Sequence, residues 1–285
     1  MGAPTILDGP MGTELVRRGV DLAGPAWSAR AIDEAPEMIG AIHREYADAG
    51  ATVHTAATFR TQPRILPDRW AGLARRAVEI ARASVPRRHL VAGSIAPLAD
   101  CYRPDLSTAG ADPDAARADH LALARVLIDA GCDRLLCETF THGAEALLAV
   151  DAALEAAGKT DAEVWLAVSP GYEGDLMTPA EAGRLAAAAA AMGAGAVLVN
   201  CAPLDATHAY VRAIAAAVWG RGVAVGAYAN AGRDQGAWRS SPGATEAYLH
   251  ASRSWADAGA TLIGGCCGTG PWVIRALAER LGARA

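Results

Sequence analysis

Residues 48–58, Asp-Ala-Gly-Ala-Thr-Val-His-Thr-Ala-Ala-Thr, pass from the end of a helix through an Ala-Gly turn into an apolar strand. Glycine readily adopts the left-handed conformation that ends many helices, and the β-branched residues that follow favour a strand. The same Asp-Ala-Gly sequence recurs at 129–131 and 257–259, and Met192-Gly193 occupies the equivalent place before another apolar segment. A helix that ends at such a turn and leads directly into a strand is therefore a repeated unit of this chain.

Short apolar segments and Ala-rich amphipathic segments alternate on both sides of this stretch. Eight apolar segments are predicted to be strands: 5–8, 51–58, 90–94, 134–138, 164–169, 196–200, 223–229 and 261–264. The predicted helices lie between and after them, at about 35–49, 67–85, 113–130, 143–157, 179–192, 206–219, 244–258 and 271–282. Parallel strands buried on both faces have this apolar character, and eight βα units predict an α/β fold with one (β/α)8 barrel over residues 1–285. An open doubly wound sheet is the alternative, but the chain lacks the Gly-x-Gly-x-x-Gly sequence that it would favour after the first strand.

Composition and charge exclude several classes of partner. The 285 residues are 52% hydrophobic and 20% charged, which is ample for a large core and argues against disorder. The net charge is −5 and the arginines are dispersed, so no basic surface for nucleic acid or anionic lipid is predicted. The start of the chain lacks the features of a secretory signal, and the longest apolar run, about 185–199, is too short for a membrane span. We therefore expect a cytoplasmic protein without nucleic-acid or membrane partners, and an oligomer is compatible with the sequence.

The carboxyl ends of the predicted strands are where a (β/α)8 barrel carries its functional residues. The residues predicted at those ends are Asp8, Thr58, Ser94, Glu138, Ser169, Asn200 with Cys201, Asn230, and Cys266 with Cys267. Three cysteines thus follow the sixth and eighth strands, whose loops can converge over the rim of the barrel. In a reducing compartment such cysteines are more often core residues, metal ligands or nucleophiles than disulfides. Cys132 and Cys137, near and within the fourth strand, are interpreted as core residues, and Cys101 is interpreted as an ordinary loop thiol.

Three thiolates that meet at one point are typical ligands of Zn²⁺. Neighbouring residues of a regular strand point to opposite faces, but Gly264, Gly265 and Gly268 allow a path that turns the Cys266 and Cys267 sulfurs toward one ion. No fourth cysteine with metal-ligand spacing accompanies them, and three protein ligands with an open position are characteristic of catalytic zinc. Zinc coordination ionises a thiol at neutral pH, so the open position is suited to an incoming thiol. The sequence therefore predicts transfer of a carbon group to sulfur.

Several motifs resemble those of the zinc-dependent homocysteine S-methyltransferase family. They are ILDGPMGTELVRRG at 6–19, AWSARAI at 26–32, HTAATFRT at 54–61, CETF at 137–140, VNC at 199–201, YAN at 228–230 and GGCCGT at 264–269. The resemblance extends from about residue 3 to 282, and the family fold is a (β/α)8 barrel.

This resemblance implies roles for individual residues. Cys201, Cys266 and Cys267 would ligate zinc, while Asp8 and Glu138 would be the catalytic carboxylates that face the amino-acid substrate. A carboxylate suits an α-ammonium group, and the backbone N–H groups of the turn at Gly9 suit an α-carboxylate. The other substrate-binding positions implied by the resemblance are Trp27 with Ser28 on the donor side, where an aromatic face suits a cation, and Asn200 and Asn230 near the metal.

The resemblance also implies the substrates. The acceptor would be homocysteine, and the donor would be S-methylmethionine, with S-adenosylmethionine or betaine as the next choices. Methyl transfer to a different small thiol and a non-catalytic zinc- or thiol-binding protein are the alternatives. A glycosidase with Asp8 and Glu138 as its acid and base would leave the three cysteines without a role. His54 and His142 are interpreted as structural histidines.

Overall fold

A computed structural model describes residues 2–24, 26–234 and 237–282 of the chain. Eight of its strands form one parallel sheet in the order β1-β10-β7-β6-β5-β4-β3-β2. A bridge between Leu7 and Val53 joins the two ends of this order, so the sheet closes into a barrel. The predicted (β/α)8 fold is confirmed. The barrel strands are β1 Thr5–Ile6, β2 Val53–Ala56, β3 Leu90–Ile95, β4 Arg134–Phe140, β5 Glu163–Val168, β6 Ala196–Asn200, β7 Ala224–Tyr228 and β10 Leu262–Ile263.

Helices surround the barrel, and each of the eight predicted helices is present. The helices are α1 Met11–Arg17, α2 Ser28–Glu34, α3 Pro36–Asp48, α4 Trp70–Ser84, α5 Pro113–Asp129, α6 Gly143–Ala157, α7 Pro179–Met192, α8 Thr207–Val218, α9 Pro242–Asp257 and α10 Pro271–Arg280. Five of them begin with proline, whose fixed φ suits the first helical position and whose missing N–H is not needed there. Within the described residues, no helix is both long and apolar enough to cross a membrane.

Some elements at the carboxyl rim of the barrel are absent from the sequence prediction. They are α1, α2, two 3₁₀ turns at Pro104–Leu106 and Thr108–Gly110, and an antiparallel hairpin of β8 (Arg233–Asp234) with β9 (Ala237–Trp238). Strand β4 also continues through Phe140, two residues beyond its predicted end, and its register against β5 is irregular between Cys137 and Phe140. All of these differences lie in or next to the loops that surround the barrel mouth.

The core has two layers because successive strand residues alternate between the barrel interior and the helices. Trp165 and Ala167 of β5 pack inside the barrel with Leu136 and Leu198, whereas Leu166 of β5 packs outward against the helices. Cys132 and Cys137 lie in the outer layer, as predicted. The interior is thus filled by side chains, and the strands place their last residues around one mouth.

Candidate active site

The three predicted metal-ligand cysteines come together at the barrel mouth. Cys201 directly follows β6, while Cys266 and Cys267 follow β10. The Cys201 sulfur lies 2.6 Å from that of Cys266 and 3.8 Å from that of Cys267. Sulfurs that bind one tetrahedral Zn²⁺ at about 2.3 Å are about 3.8 Å apart. The wider separation already matches that value, and the closer pair would need to part by about 1 Å to share such an ion.

Local backbone contacts explain how sulfurs from two loops reach one point. Cys201 has a φ of 49°, which turns its side chain out of the regular strand path toward the mouth. Cys266 donates its N–H to Ala229 at 2.9 Å, which fixes the second loop beside the end of β7. Gly265 is required there, because a Cβ at this position would lie 2.2 Å from the Thr269 hydroxyl oxygen. Gly265 thus allows the loop to pass close to its own continuation.

The three thiols do not share one protonation state. Hydrogen bonds from the thiols of Cys201 and Cys266 stabilise the Cys267 thiolate and hold the pKa of Cys267 well below its usual value. Hydrogen bonds that the Cys266 thiol donates to Cys201 and Cys267, together with burial, raise the pKa of Cys266 well above its usual value. One thiolate stabilised by neighbouring thiols is an arrangement from which a cation can displace the remaining protons.

Asp8 and Glu138 present two carboxyl groups to the same cavity of about 650 Å³. Glu138 accepts hydrogen bonds from the Ser94 hydroxyl at 2.5 Å and the Tyr228 hydroxyl at 3.0 Å. Asp8 accepts from the backbone N–H of Thr55 at 2.8 Å and from its hydroxyl at 3.2 Å. Burial, with a smaller contribution from the nearby charge of Glu138, raises the pKa of Asp8 to about 8. Burial also raises the pKa of Glu138. A cationic group between the two carboxyls would therefore be strongly favoured.

The rings of Trp27 and Phe59 form an aromatic wall of the cavity. The rings of Trp27 and Phe59 meet edge to face, with centroids 6.1 Å apart. Trp27 lies directly over Gly12, where a Cβ would be 2.3 Å from the indole ring. The predicted residues Gly9 and Ser28 line the cavity beside this wall.

The two predicted asparagines are not among the residues that line the cavity. Asn200 uses its carboxamide to hold Thr139: it accepts from the Thr139 N–H at 3.1 Å and donates to the Thr139 hydroxyl at 2.8 Å. Thr139 has a φ of 64° and directly follows Glu138. Asn230 is buried, and its side-chain oxygen has no hydrogen-bond partner among the described residues. Asn200 therefore supports the wall that carries Glu138.

Two tyrosines that were not predicted from the sequence line the same cavity as the cysteines. Tyr102, in the loop after β3, and Tyr172, in the loop after β5, stack with ring centroids 4.1 Å apart. Trp238 of β9 lies 6.2 Å from Tyr172. Trp238 also covers Gly268, where a Cβ would meet the indole at 2.6 Å. The only signal in the sequence was a tyrosine beside Cys101 and another after the Pro170-Gly171 turn, both in loops at the functional end of the barrel.

His54 and His142, which were interpreted as structural from the sequence, do not line the cavity. His142 accepts a hydrogen bond from the Glu145 N–H and caps α6. His54 stacks on His89 with ring centroids 5.3 Å apart, and His43 approaches it from α3. Burial lowers the pKa of His43 to about 4 and that of His54 to about 3, so both rings are neutral at pH 7. These rings pack behind Asp8, where potential ligand atoms of Asp8, His43 and His54 all lie within 4.8 Å of one another.

Comparisons with known proteins give a consistent result. A family model described as homocysteine S-methyltransferase matches residues 5–281. The homocysteine S-methyltransferase of Escherichia coli (strain K12) is 31% identical over 304 residues, which cover 96% of this chain and 94% of that protein. The selenocysteine Se-methyltransferase of Brassica oleracea var. italica is 27% identical, over 99% of this chain and 90% of the relative. The metallated form of the homocysteine methyltransferase MmuM from Escherichia coli superimposes with a TM-score of 0.77 at 29% identity, covering 98% of this chain and 96% of that structure.

Proposed function

The chain belongs to the homocysteine S-methyltransferase family, and we propose that it moves a methyl group from a cationic donor, S-methylmethionine by preference, to the sulfur of homocysteine at a zinc site. The observation that carries this proposal is the meeting of three cysteine sulfurs, from the loops after β6 and β10, in a cavity that also contains two buried carboxyls. When bound by Cys201, Cys266 and Cys267, Zn²⁺ would supply the ionised acceptor thiol that methyl transfer needs.

The carboxyl groups bind and orient the amino-acid part of the acceptor in this proposal. Asp8 and Glu138 both line the cavity and hold the α-ammonium group, while Gly9 offers its backbone N–H to the α-carboxylate. Ser94, Tyr228 and Thr55 fix the two carboxyl groups by hydrogen bonds. Such fixed groups place the acceptor sulfur toward the cysteines, and this positioning supplies much of the rate enhancement.

The aromatic wall of Trp27 and Phe59 positions the donor. A sulfonium carries a positive charge that an aromatic face attracts by about 0.5–2 kcal/mol. In the reaction a carbon–sulfur bond forms at the acceptor while the bond between the methyl group and the donor sulfonium breaks. The donor leaves as a neutral thioether that needs no proton, and the proton of the acceptor thiol passes to solvent.

The test is a methyl-transfer assay with zinc-loaded protein, homocysteine and one donor at a time. We expect methionine to form fastest from S-methylmethionine, with slower or no turnover from S-adenosylmethionine and betaine. Cysteine and selenocysteine are assayed as acceptors in parallel, because one relative is named for selenocysteine. Absence of methionine with every donor would overturn the proposal and favour a non-catalytic thiol-binding protein.

A pair of variants connects turnover to the cysteine site. Cys266→Ser together with Cys267→Ser removes two of the three sulfurs and is expected to abolish both stoichiometric zinc binding and turnover. Cys132→Ser is the matched control, because Cys132 packs in the outer core layer away from the mouth. Stoichiometric zinc in the double variant would contradict the proposed ligand set.

A further inference from the structure

Arg60, in the loop after β2, is the only basic side chain among the described residues that line the cavity. The residue is half-buried. Its guanidinium donates a hydrogen bond to the Ala99 carbonyl at 3.2 Å and lies over the Phe59 ring, 5.2 Å from the ring centroid. The same Phe59 ring meets Trp27 edge to face. A permanent positive charge is therefore held beside the aromatic wall to which the donor cation is assigned.

These contacts use only a small part of the hydrogen-bonding capacity of Arg60. A guanidinium carries five N–H donors, and the Ala99 carbonyl accepts one of them. The Asp100 carboxylate, in the same loop as Ala99, accepts from the Tyr102 N–H at 2.9 Å. Within the described part of the chain, no carboxylate forms an ion pair with Arg60. A half-buried cation without an anionic partner is costly, so the cavity favours a ligand that brings an anion to this position.

The charge of Arg60 is opposite in sign to that of the other charged side chains in the cavity lining. Those side chains are the carboxyl groups of Asp8, Asp100 and Glu138. Carboxyl groups suit an ammonium or a sulfonium, whereas Arg60 repels such a cation unless the same molecule also carries a negative charge. The planar guanidinium binds a carboxylate through two parallel hydrogen bonds. The aromatic wall together with Arg60 therefore suits a donor that has both a cationic centre and a carboxylate.

We propose that Arg60 binds the carboxylate of the methyl donor and restricts the donor to amino-acid sulfonium compounds, in which a short carbon chain separates the carboxylate from the sulfonium. The inference rests on the proposed methyl-transfer function and names the class of donor. This class includes S-methylmethionine and S-adenosylmethionine and excludes simple sulfonium ions. Homocysteine also has a carboxylate, but that group is assigned to the turn at Gly9, whereas the Phe59 contact ties Arg60 to the donor wall.

The test compares two donors that differ only in the carboxyl group, S-methylmethionine and its α-carboxamide. For the wild type, we expect kcat/KM to be about 10–100-fold higher with the acid, as for other charge-assisted hydrogen bonds. Arg60→Gln removes the positive charge and keeps an amide donor. This variant should lose about 10–100-fold in kcat/KM for S-methylmethionine, mainly through a higher KM, and should lose nothing with the carboxamide.

Two further measurements separate donor binding from a structural role. A purely structural contact would change turnover of both donors alike, and a contact with the acceptor would raise the KM for homocysteine, which we expect to be unchanged. Arg60→Lys keeps the charge without the planar fork and should retain part of the preference for the acid. Arg103→Gln is the control, because Arg103 pairs with Asp105 at 2.7 Å and does not line the cavity.

Equal losses with both donors in Arg60→Gln, or wild-type kinetics with both, would overturn the inference while the proposed function stands. A raised KM for homocysteine with an unchanged KM for S-methylmethionine would also overturn it. If Arg60→Gln fails to fold, Arg60→Lys decides, since a loss confined to the acid is still expected.

If no donor supports methionine formation in the wild type, the proposed function fails. Calorimetric titration of the wild type and Arg60→Gln with S-methylmethionine then decides the inference by itself. Weaker binding to the variant would support a carboxylate site at Arg60, whereas equal affinity, or no binding to either protein, would overturn it.

Discussion

Three residues in the described part of the chain combine a positive φ with a side chain beyond glycine. They are Trp27 at 39°, Thr139 at 64° and Cys201 at 49°, and all three line the cavity. Such conformations cost on the order of 1–3 kcal/mol each and persist only where neighbours hold them. The Asn200 side chain holds Thr139 in this conformation by forming hydrogen bonds with both its N–H and its hydroxyl. The concentration of strained residues around one cavity is independent support for its functional role.

The protonation of Asp8 leads to a pH-dependent prediction. Because the pKa of Asp8 is raised to about 8, its carboxyl is mostly protonated in the empty site at pH 7. If Asp8 must ionise to hold an α-ammonium group, ligand affinity rises with pH up to about 8 and then levels off. Methionine, the expected product, is a suitable probe because it has no thiol proton to lose. We expect its affinity for zinc-loaded protein to increase by up to tenfold per pH unit between pH 6 and pH 8.

The Asp8→Asn variant isolates this contribution. Its methionine affinity is expected to be lower than that of the wild type and to lose the added pH dependence, as measured by calorimetric titration at several pH values. Asp151→Asn is the control, because Asp151 pairs with Arg117 on the outer surface. An Asp8→Asn protein with the same pH slope as the wild type would assign the titration to another group.

Among the single elements, β7 lies between the two strands that lead into the cysteine loops. It lies between β6 and β10, and its Gly226 leaves room for the side chains of both neighbours. A Cβ at Gly226 would lie 2.5 Å from Leu198 of β6 and 2.8 Å from Leu262 of β10. Gly226→Ala should therefore lower the free energy of unfolding by about 1–3 kcal/mol through overpacking of the barrel interior. Urea denaturation monitored by circular dichroism measures this change.

Gly72→Ala is the matched substitution with the opposite expected sign. Gly72 lies in α4, and a Cβ there would meet no atom within 4 Å. Alanine in a helix is more favourable than glycine by about 0.5–1 kcal/mol, so this variant should gain stability. If both substitutions changed the free energy of unfolding by the same amount, the barrel interior would have room for a Cβ at Gly226, and the overpacking argument would be wrong.

The elements that the sequence predicts and those that it misses differ in physical character. Strands such as β6 and helices such as α5 were predicted because burial imposes a regular period on their residues. Cys201, Cys266 and Cys267 were identified because strand ends in this fold meet at one rim. The β8–β9 hairpin and the Tyr102–Tyr172 stack lie in loops, where contacts between distant segments determine the structure and leave no periodic pattern. The role of Asn200 was missed for a related reason, since its partner Thr139 is 61 residues away in sequence.

For the whole molecule, the position of the cysteines connects metal binding to the stability of the barrel. The three sulfurs come from loops after β6 and β10, which are separated by β7, and β10 is also the neighbour of β1 where the ring closes. An ion bound to all three sulfurs would therefore hold together strands that are far apart in sequence. A ligand that binds only the folded state stabilises it by about 2.7 kcal/mol at a free concentration 100-fold above its dissociation constant. For a chain of 285 residues that gain raises the melting temperature by roughly 4–5 °C.

We therefore expect thermal unfolding of the zinc-loaded protein at a higher temperature than that of the chelator-treated protein. The Cys266→Ser, Cys267→Ser double variant should show no difference between the two conditions, because it lacks the site. Cys132→Ser should keep the full difference even if its baseline stability is lower, since its sulfur lies in the outer core layer. A metal-dependent shift that persists in the double variant would locate the stabilising ion elsewhere, and the buried cluster of Asp8, His43 and His54 would be the first place to examine.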